Sequence, residues 1–385
     1  MKKRVTAGID IGTHSVRVVV AEYKPDEEYP TVLGMGQAPS QGMRHGYIIN
    51  TDETRESIKK AVREAEKTSG HKINRILLSL AGISLESRIV SGTTVISRAD
   101  NEVTHLDIKK ARHAGERTME DISNRKIIHS IPVHFRLDGK EVLGRATGMT
   151  GSKLEVMTLV ILALEQHLQD LVGAVSSLGI DIADVVAAPL AASLVSLSKK
   201  QKNAGCVLIN IGAETVSMIV YENGVPVLLH VFPIGGTDIT NDIALGFKIP
   251  LEEAENVKIG RDGANTSKRK LDEIIEARLA DIFELVDLEL KKIRRNKLLP
   301  AGAIITGGGS LLPQIGDVAR KTLELPSRVE TPDITHISKG KIRDSLWSVA
   351  YGLTLLDQGN ESDEEDGFGE KISRTLKDFL RQFLP

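Results

Sequence analysis

Asp10-Ile-Gly-Thr-His14 ends one short apolar strand and turns through Gly12 into a second, Ser15–Ala21. Asn210-Ile-Gly-Ala-Glu-Thr215 does the same ahead of Val216–Tyr221. A strand–turn–strand with glycine at its tip lets backbone N–H groups approach an anion with no Cβ in the way. One such turn is an ordinary hairpin signal. Two of the same plan, about 200 residues apart, describe a duplicated lobe that clamps a polyphosphate between its copies. In this reading Gly12, Thr13 and His14 supply backbone N–H groups and a hydroxyl from the first lobe, and Gly212, Ala213, Glu214 and Thr215 do so from the second. Asp10 stands where a carboxylate commonly holds Mg²⁺ through water, because Mg²⁺ keeps its hydration shell. A third turn, Thr306-Gly307-Gly308-Gly309-Ser310, follows the apolar strand Ala303–Thr306 and precedes a helix expected to be capped near Ser310. Three bare backbone positions suit a flat purine and its ribose. A tight strand-to-helix turn with no ligand would carry the same signature.

The elements that must hold these turns are legible as hydrophobic patterns. Strands are expected at about 4–10, 15–23 and 31–38, a helix from Glu53 to about Lys67 stopped by Gly70, and a strand at 76–81. From about 85 to 164 the order changes to strand (88–97), helix (105–121), strand (127–137) and strand (155–164), a small α+β unit inserted into the first lobe. Helices at about 165–178 and 188–199 lead back, and Lys199-Lys-Gln-Lys-Asn203 reads as a solvated crossing loop. The first lobe therefore spans 1–200 and the second 201–337, with an upper subdomain at about 235–296; a closing segment, 338–357, returns to the first lobe. The long helix from Leu271 to Arg295 carries a stripe that is simply core, and Trp347 is expected to pack in the closing helix.

Composition bounds the function. At 385 residues the chain exceeds what one core fills. A net charge of −2 gives no case for nucleic acid. The single cysteine, Cys206, begins an apolar strand and reads as inert packing. His129 and His134 have no neighbouring carboxylate or cysteine in sequence to complete a metal site. Neither a signal peptide nor an apolar stretch of ~20 residues is apparent, which places the body on the cytoplasmic side. After Asp357 the character shifts to an acidic linker, 358–367, and then to 368–385. On a helical wheel Phe368, Ile372, Leu376, Phe379, Leu380, Phe383 and Leu384 share one apolar arc, while Lys371, Arg374, Lys377 and Arg381 lie opposite or on its flank. That is an amphipathic helix with a basic polar face, suited to anionic membrane lipids. A terminal helix docked on the body is the plainer alternative.

The order of first turn, linking helix (187–193), second turn, glycine-rich third turn and closing helix (346–353) resembles the actin, heat-shock chaperone and sugar-kinase superfamily. Within it, Phe232-Pro-Ile-Gly-Gly-Thr-Asp-Ile-Thr-Asn-Asp-Ile-Ala244 and Glu252–Lys258 closely resemble the FtsA family of bacterial cell-division actins, and the resemblance covers essentially the whole chain. It implies an α/β, actin-like two-lobed ATPase fold with an inserted α+β subdomain and a C-terminal amphipathic helix. It also implies ATP and Mg²⁺ as cofactors, self-assembly into filaments, attachment to the inner face of the membrane, tethering of the FtsZ C-terminal peptide, and contact with later division proteins. By the same resemblance Gly235 and Gly236 match a further phosphate-side turn, Glu255 and Lys258 a pair facing the adenosine, and Gly307 to Ser310 the adenine turn. Two departures stand out. Asn210 replaces the usual Asp, which predicts very slow hydrolysis at most. The segment between Gly260 and Leu271 is trimmed where the FtsZ tail is received, with Arg278 the remaining candidate for an acidic peptide. A pilus-assembly actin is the closest alternative, but it lacks the terminal anchor. A sugar or acetate kinase would need a catalytic acid that the sequence does not offer, and a chaperone would need a peptide-binding β-domain.

Overall fold

The computed structural model describes residues 4–24, 29–261, 267–330 and 344–356. The acidic linker, the amphipathic segment 368–385 and residues 262–266 of the trimmed segment lie outside the described residues.

The first lobe opens with β1 (Arg4–Ile11), β2 (Ser15–Tyr23) and β3 (Thr31–Pro39), an antiparallel meander. Val18, Val19, Val20 and Ala21 are consecutive and all fully buried. A strand with no polar face must be covered on both sides, here by helices. A two-residue-stranded hairpin follows, β4 (Met43–Arg44) and β5 (Tyr47–Ile48). Then α1 (Thr51–Ser69) starts where the Asn50 side chain accepts from the Glu53 N–H, and stops where Gly70 turns left-handed. β6 (Arg75–Leu80) lies parallel to β1.

The insertion comprises β7 (Glu86–Val95), α2 (His105–Glu116), β8 (Arg125–Leu137), β9 (Lys140–Val142) and β10 (Lys153–Leu164). Its four strands run in the order β7-β10-β8-β9 around a small core of their own, which includes Ile108, Leu154 and Val156. α2 stops at Glu116 rather than near Asp121, because the Thr118 hydroxyl donates to the Gly115 carbonyl and both Asp121 and Asn124 take left-handed φ. The chain returns through α3 (Glu165–Ser176), β11 (Asp181–Ala187) and α4 (Ala188–Ser196).

Residues 199–203 are not a solvated loop. Ser198 and Gln201 form a capping box that starts a short helix, α5 (Lys199–Ala204). It turns Lys202 inward to 2% exposure, with Nζ 5.0 Å from the Tyr221 ring centroid. Burial pushes the Lys202 ammonium down to about 7 and the Cys206 thiol up to about 12.

The second lobe repeats the first. β12 (Cys206–Ile211), β13 (Val216–Glu222) and β14 (Val225–Phe232) form the antiparallel meander; α6 (Gly236–Phe247), α7 (Leu251–Lys258) and α8 (Lys268–Lys292) follow. β15 (Ala303–Thr306), α9 (Ile315–Leu323) and β16 (Ser327–Val329) complete it. The two large sheets run β3-β2-β1-β6-β11 and β14-β13-β12-β15-β16, with three antiparallel and two parallel members in matching places. On α8, Ile275, Leu279, Ile282, Phe283, Val286 and Leu290 are buried in the second core. The final helix, α10 (Ser348–Thr354), lies on α4 so closely that a Cβ on Gly352 would sit 2.0 Å from the Ala191 carbonyl oxygen. α4 touches both large sheets, and the Tyr221 hydroxyl lies 2.7 Å from Ser193 Oγ on α4.

Candidate functional site

The β1–β2 and β12–β13 turns line one cavity of about 1070 Å³. That is slightly above the range, about 300–1,000 Å³, usual for ligand pockets. From the first lobe come Asp10, Gly12, Thr13 and His14; from the second, Asn210, Gly212, Ala213, Thr215 and Gly236. Glu255 and Lys258 line it from α7, and Gly307, Gly308 and Gly309 from the turn after β15. The duplicated topology explains the convergence, since in each lobe the same meander delivers its first turn to the same edge.

The turns use some of their own donors. The Gly12 N–H is spent on the Ser15 carbonyl at 3.1 Å, and the Gly212 N–H on Thr215 at 2.8 Å. These two glycines therefore shape the turns rather than donate to a ligand, which corrects the reading from sequence. The amides of Thr13, His14 and Ala213 have no hydrogen-bond partner among the described residues. That of Thr215, which also lines the cavity, has none either, and these four are turn donors left for an anion.

Three other expected residues do not reach the cavity. Glu214 faces away from it, toward the hairpin between β4 and β5: its carboxylate accepts the His45 N–H at 2.6 Å, and its carbonyl accepts from His45 Nδ1 at 3.0 Å. Gly235 braces the second turn instead. Its position against Ala213 is so close that a Cβ would meet the Ala213 carbonyl oxygen at 2.5 Å. The first amides of α6, from Gly236 and Thr237, donate to the Gly212 and Ala213 carbonyls. Ser310 closes the third turn from behind, its hydroxyl donating to the Gly307 carbonyl at 2.7 Å. It does not cap a helix; α9 begins at Ile315, after Gln314 in a left-handed conformation. At Gly307 itself φ is +86°, and a Cβ would sit 2.2 Å from Asn210 Oδ1, so the second and third turns are fitted together side by side.

Asp10 is 9% exposed, and one of its oxygens accepts from the Ser79 hydroxyl at 2.7 Å. Burial raises its pKa, partly offset by Ser79 and by Arg17. Arg17 is the cross-strand partner of Asp10 in the β1–β2 register and also lines the cavity. Its Nε is buried with no hydrogen-bond partner among the described residues. The sequence reading missed this residue, although the signal was present: a hairpin with its tip at Gly12–His14 pairs position 10 with position 17. Glu255 accepts from Thr240 Oγ1 and from Lys258 Nζ, each at 2.6 Å, and Lys258 donates to the Gly236 carbonyl at 3.0 Å. Burial pushes the Glu255 pKa up, but the Lys258 and Thr240 hydrogen bonds outweigh it and hold the carboxyl below its ordinary value.

Arg278 stands apart from the cavity, gripped by Asp242 through two hydrogen bonds of 2.6 and 3.0 Å. His129 is a packing residue, 2% exposed, and His134 lies 3.7 Å from Glu141. Among the described residues no group of three or more His, Cys, Asp or Glu is placed to hold a metal ion, and no helix is long and apolar enough to cross a membrane.

The family models and the curated relatives point to one family. The family model for cell division protein FtsA matches residues 207–352, and the model for the SHS2 domain inserted in FtsA matches residues 82–162. The cell division protein FtsA of Borreliella burgdorferi is 30% identical over 379 residues, covering 92% of this chain and 91% of its own. The chain belongs to the FtsA family. FtsA of Bacillus subtilis is likewise 30% identical, over 90% of this chain and 81% of the relative, and FtsA of Escherichia coli strain K12 is 25% identical over 94% and 91%. Among solved structures, a PilM–PilN type IV pilus biogenesis complex superposes with a TM-score of 0.66 at 19% identity, covering 91% of this chain and 97% of the other. MreB5 of Spiroplasma citri bound to ADP gives 0.52 at 13%, covering 92% and 96%. These structures share the fold alone, and with it this FtsA-family chain has the actin-like ATPase architecture with an inserted subdomain.

Proposed function

We propose that this cell-division protein binds ATP with Mg²⁺ between its lobes, assembles into filaments, and tethers FtsZ filaments to the inner face of the cytoplasmic membrane. The observation that carries the nucleotide reading is the convergence of two matching turns and the three-glycine turn on one cavity. The chemistry of the donor set fits. Thr13, His14 and Ala213 offer amides, Arg17 a half-buried cation whose Nε–H has no hydrogen-bond partner among the described residues, and the third turn a bare surface for a purine. Bound Mg²⁺ would neutralise phosphate charge. Asp10 is the carboxylate to hold it through water, and a single protein carboxylate suffices when phosphates supply the other ligands. Asn210 keeps a neutral oxygen at the head of the second turn but no charge to organise an attacking water, so ATP acts chiefly by ordering the two lobes for subunit stacking.

The tether rests on the segment Phe368–Leu384. Fully burying a Phe or Leu is worth about 1.5–3 kcal/mol, and each cation near an anionic leaflet about 1 kcal/mol. A headgroup interface buries these side chains only in part, so one tail binds reversibly and a filament of tails binds firmly. The FtsZ peptide, acidic and short, would dock on the upper part of the second lobe near Arg278. Because Asp242 already neutralises that guanidinium, the contact would use its exposed edge rather than an unpaired charge. The likeness to a PilM–PilN complex favours a pilus-assembly actin as the second reading, and the amphipathic segment argues against it.

The test is co-sedimentation of a labelled FtsZ C-terminal peptide with anionic liposomes in ATP. It compares the full chain, a version ending at Gly367, and a Phe379→Glu, Phe383→Glu variant. Peptide pelleting with the full chain alone is expected. Protein that pellets without peptide would remove the tether while keeping the membrane-bound actin. A variant that loses its fold would instead show those phenylalanines docked on the body.

A further inference from the structure

The tip of the β4–β5 hairpin touches both anion turns at once. The Gly46 N–H donates to Thr13 Oγ1 at 3.2 Å, in the first turn. One residue earlier, the His45 N–H and ring grip Glu214 of the second turn, as described above. Because the Glu214 carbonyl can only accept, His45 carries its proton on Nδ1.

The same tip is bonded to the roots of the insertion. The chain leaves the first lobe at Gly82–Leu85 and returns into α3, and both crossings meet the hairpin. His167, in the first turn of α3, donates from Nε2 to the Gly46 carbonyl at 2.9 Å and accepts from the Ser84 hydroxyl at 2.6 Å. The Tyr47 ring stacks on His167 with centroids 4.4 Å apart. Gly46 lies against Gly82 so tightly that a Cβ on Gly46 would be 2.4 Å from the Gly82 Cα.

The conformation is a demanding one. Gly46 has φ +84°, and His45, which carries a side chain, has φ +49°. Left-handed backbone at a non-glycine residue costs about 1–2 kcal/mol and persists where the surroundings over-determine it. Here the surroundings are the two turns and the two roots.

We propose that this hairpin tip, centred on His45 and Gly46, couples occupancy of the cleft by a nucleoside triphosphate to the attachment of the inserted subdomain. The proposal rests on the nucleotide reading of the cleft. An anion held by the amides of Thr13, His14 and Ala213 fixes the spacing of the two turns that His45 and Gly46 bridge. That spacing sets the tip, and the tip sets His167 and Ser84, the hinge on which the insertion is hung. Coupling of this kind is reciprocal: a partner bound to the insertion that favours one setting of the roots changes nucleotide affinity by the same factor. A second route exists, because Ser87 on β7 exchanges hydrogen bonds of 2.8 Å with both the N–H and the carbonyl of Leu229 on β14, which leads to Gly235 and Gly236.

Hydrogen–deuterium exchange of the full chain with and without Mg²⁺-ATP tests this. The forms compared are the parent, Glu214→Ala, His45→Gly, which relieves the left-handed strain while removing the ring, and Ser87→Ala. In the parent, ATP should slow exchange at 12–15 and 212–215, and also at the roots, 83–86 and 164–168, by about tenfold, within the ~5–150-fold range of typical coupled sites. In Glu214→Ala and His45→Gly the slowing at 12–15 should persist while that at the roots falls to about twofold or less. A residue that merely supports the fold would change exchange equally with and without ATP. Root protection that survives both hairpin variants, or that vanishes only in Ser87→Ala, overturns the proposal. Absence of ATP-dependent protection at 12–15 in the parent overturns the nucleotide reading, and this inference with it.

Discussion

Acid should loosen the inserted subdomain, and His129 gives the size of the effect. This residue on β8 accepts the Ala187 N–H through Nε2 at 3.0 Å, at the start of α4, and its Nδ1 is buried with no partner among the described residues. The ring must therefore be neutral to make its bond, and burial holds its pKa down at about 3. The unfolded chain takes up the proton at the ordinary value of about 6.5. The contribution of neutral His129 is thus intact above about pH 6.5 and falls steadily as pH drops toward 3. At about 1.4 kcal/mol per pH unit, lowering the pH from 7 to 5 removes about 2 kcal/mol. His129→Gln keeps an acceptor for Ala187 and cannot titrate. Urea unfolding followed by circular dichroism at pH 7 and pH 5 should show the parent losing about 2 kcal/mol more than the variant. The comparison cancels groups common to both, including Asp10 and Glu330, whose raised pKa values act in the opposite direction. Equal losses in the two proteins, or an imidazole resonance of His129 titrating near its ordinary value, would refute the reasoning.

Other outcomes follow from the cleft. Gly307→Ala places a Cβ against Asn210 at a left-handed position, adding about 1–2 kcal/mol for handedness and about 1–3 for overpacking; calorimetry should record a lower melting temperature, and an unchanged one would mean the two turns are not fitted together as described. Arg17→Leu removes the half-buried cation paired across the strands with Asp10. A hydrogen bond to a charged group is worth about 1.5–3 kcal/mol, so titration calorimetry should find ATP bound roughly 10- to 150-fold more weakly, and an unchanged Kd would dismiss Arg17 as a ligand contact. Asn210→Asp restores a charge at the head of the second turn and should raise phosphate release; no gain in turnover would place the cause of slow hydrolysis elsewhere.

The duplicated architecture was legible because its signal is local: glycine at the tip of a hairpin, twice, with β-branched strands on each side. The parallel members β11 and β16 were not, since a parallel partner is chosen by tertiary contacts and the three residues of β16 carry too little pattern to show it. The lysine run at 199–203 hides a helix, although Ser198 and Gln201 carry the capping signal; a run of charges has the pattern of a solvated loop, and here one of them is buried. Which residues approach the cavity was recoverable from motif position, but which donors remain for a ligand was not. Gly12 and Gly212 satisfy their own turns, and Glu214 has been drawn away by His45, a contact between residues 169 apart in sequence that no local pattern encodes.

The matching order of the two large sheets has a consequence for where the insertion sits. Superimposed on one another as copies, the lobes equate β6 with β15, so the loop after β6 is the counterpart of the loop after β15. In the second lobe that loop is the three-glycine turn; in the first it is Ala81-Gly82, from which the insertion departs, and both residues line the cavity. An ancestral duplication would thus have left two equivalent mouths on one cleft, one kept short as a floor and the other opened to admit a whole module. A module grafted there is rooted in the cavity wall rather than on the outer surface. Lengthening the chain at Gly82 should disturb the cleft as surely as lengthening it at Gly307, whereas the same insertion at Gly139, in the β8–β9 turn where a Cβ would meet nothing, should be silent.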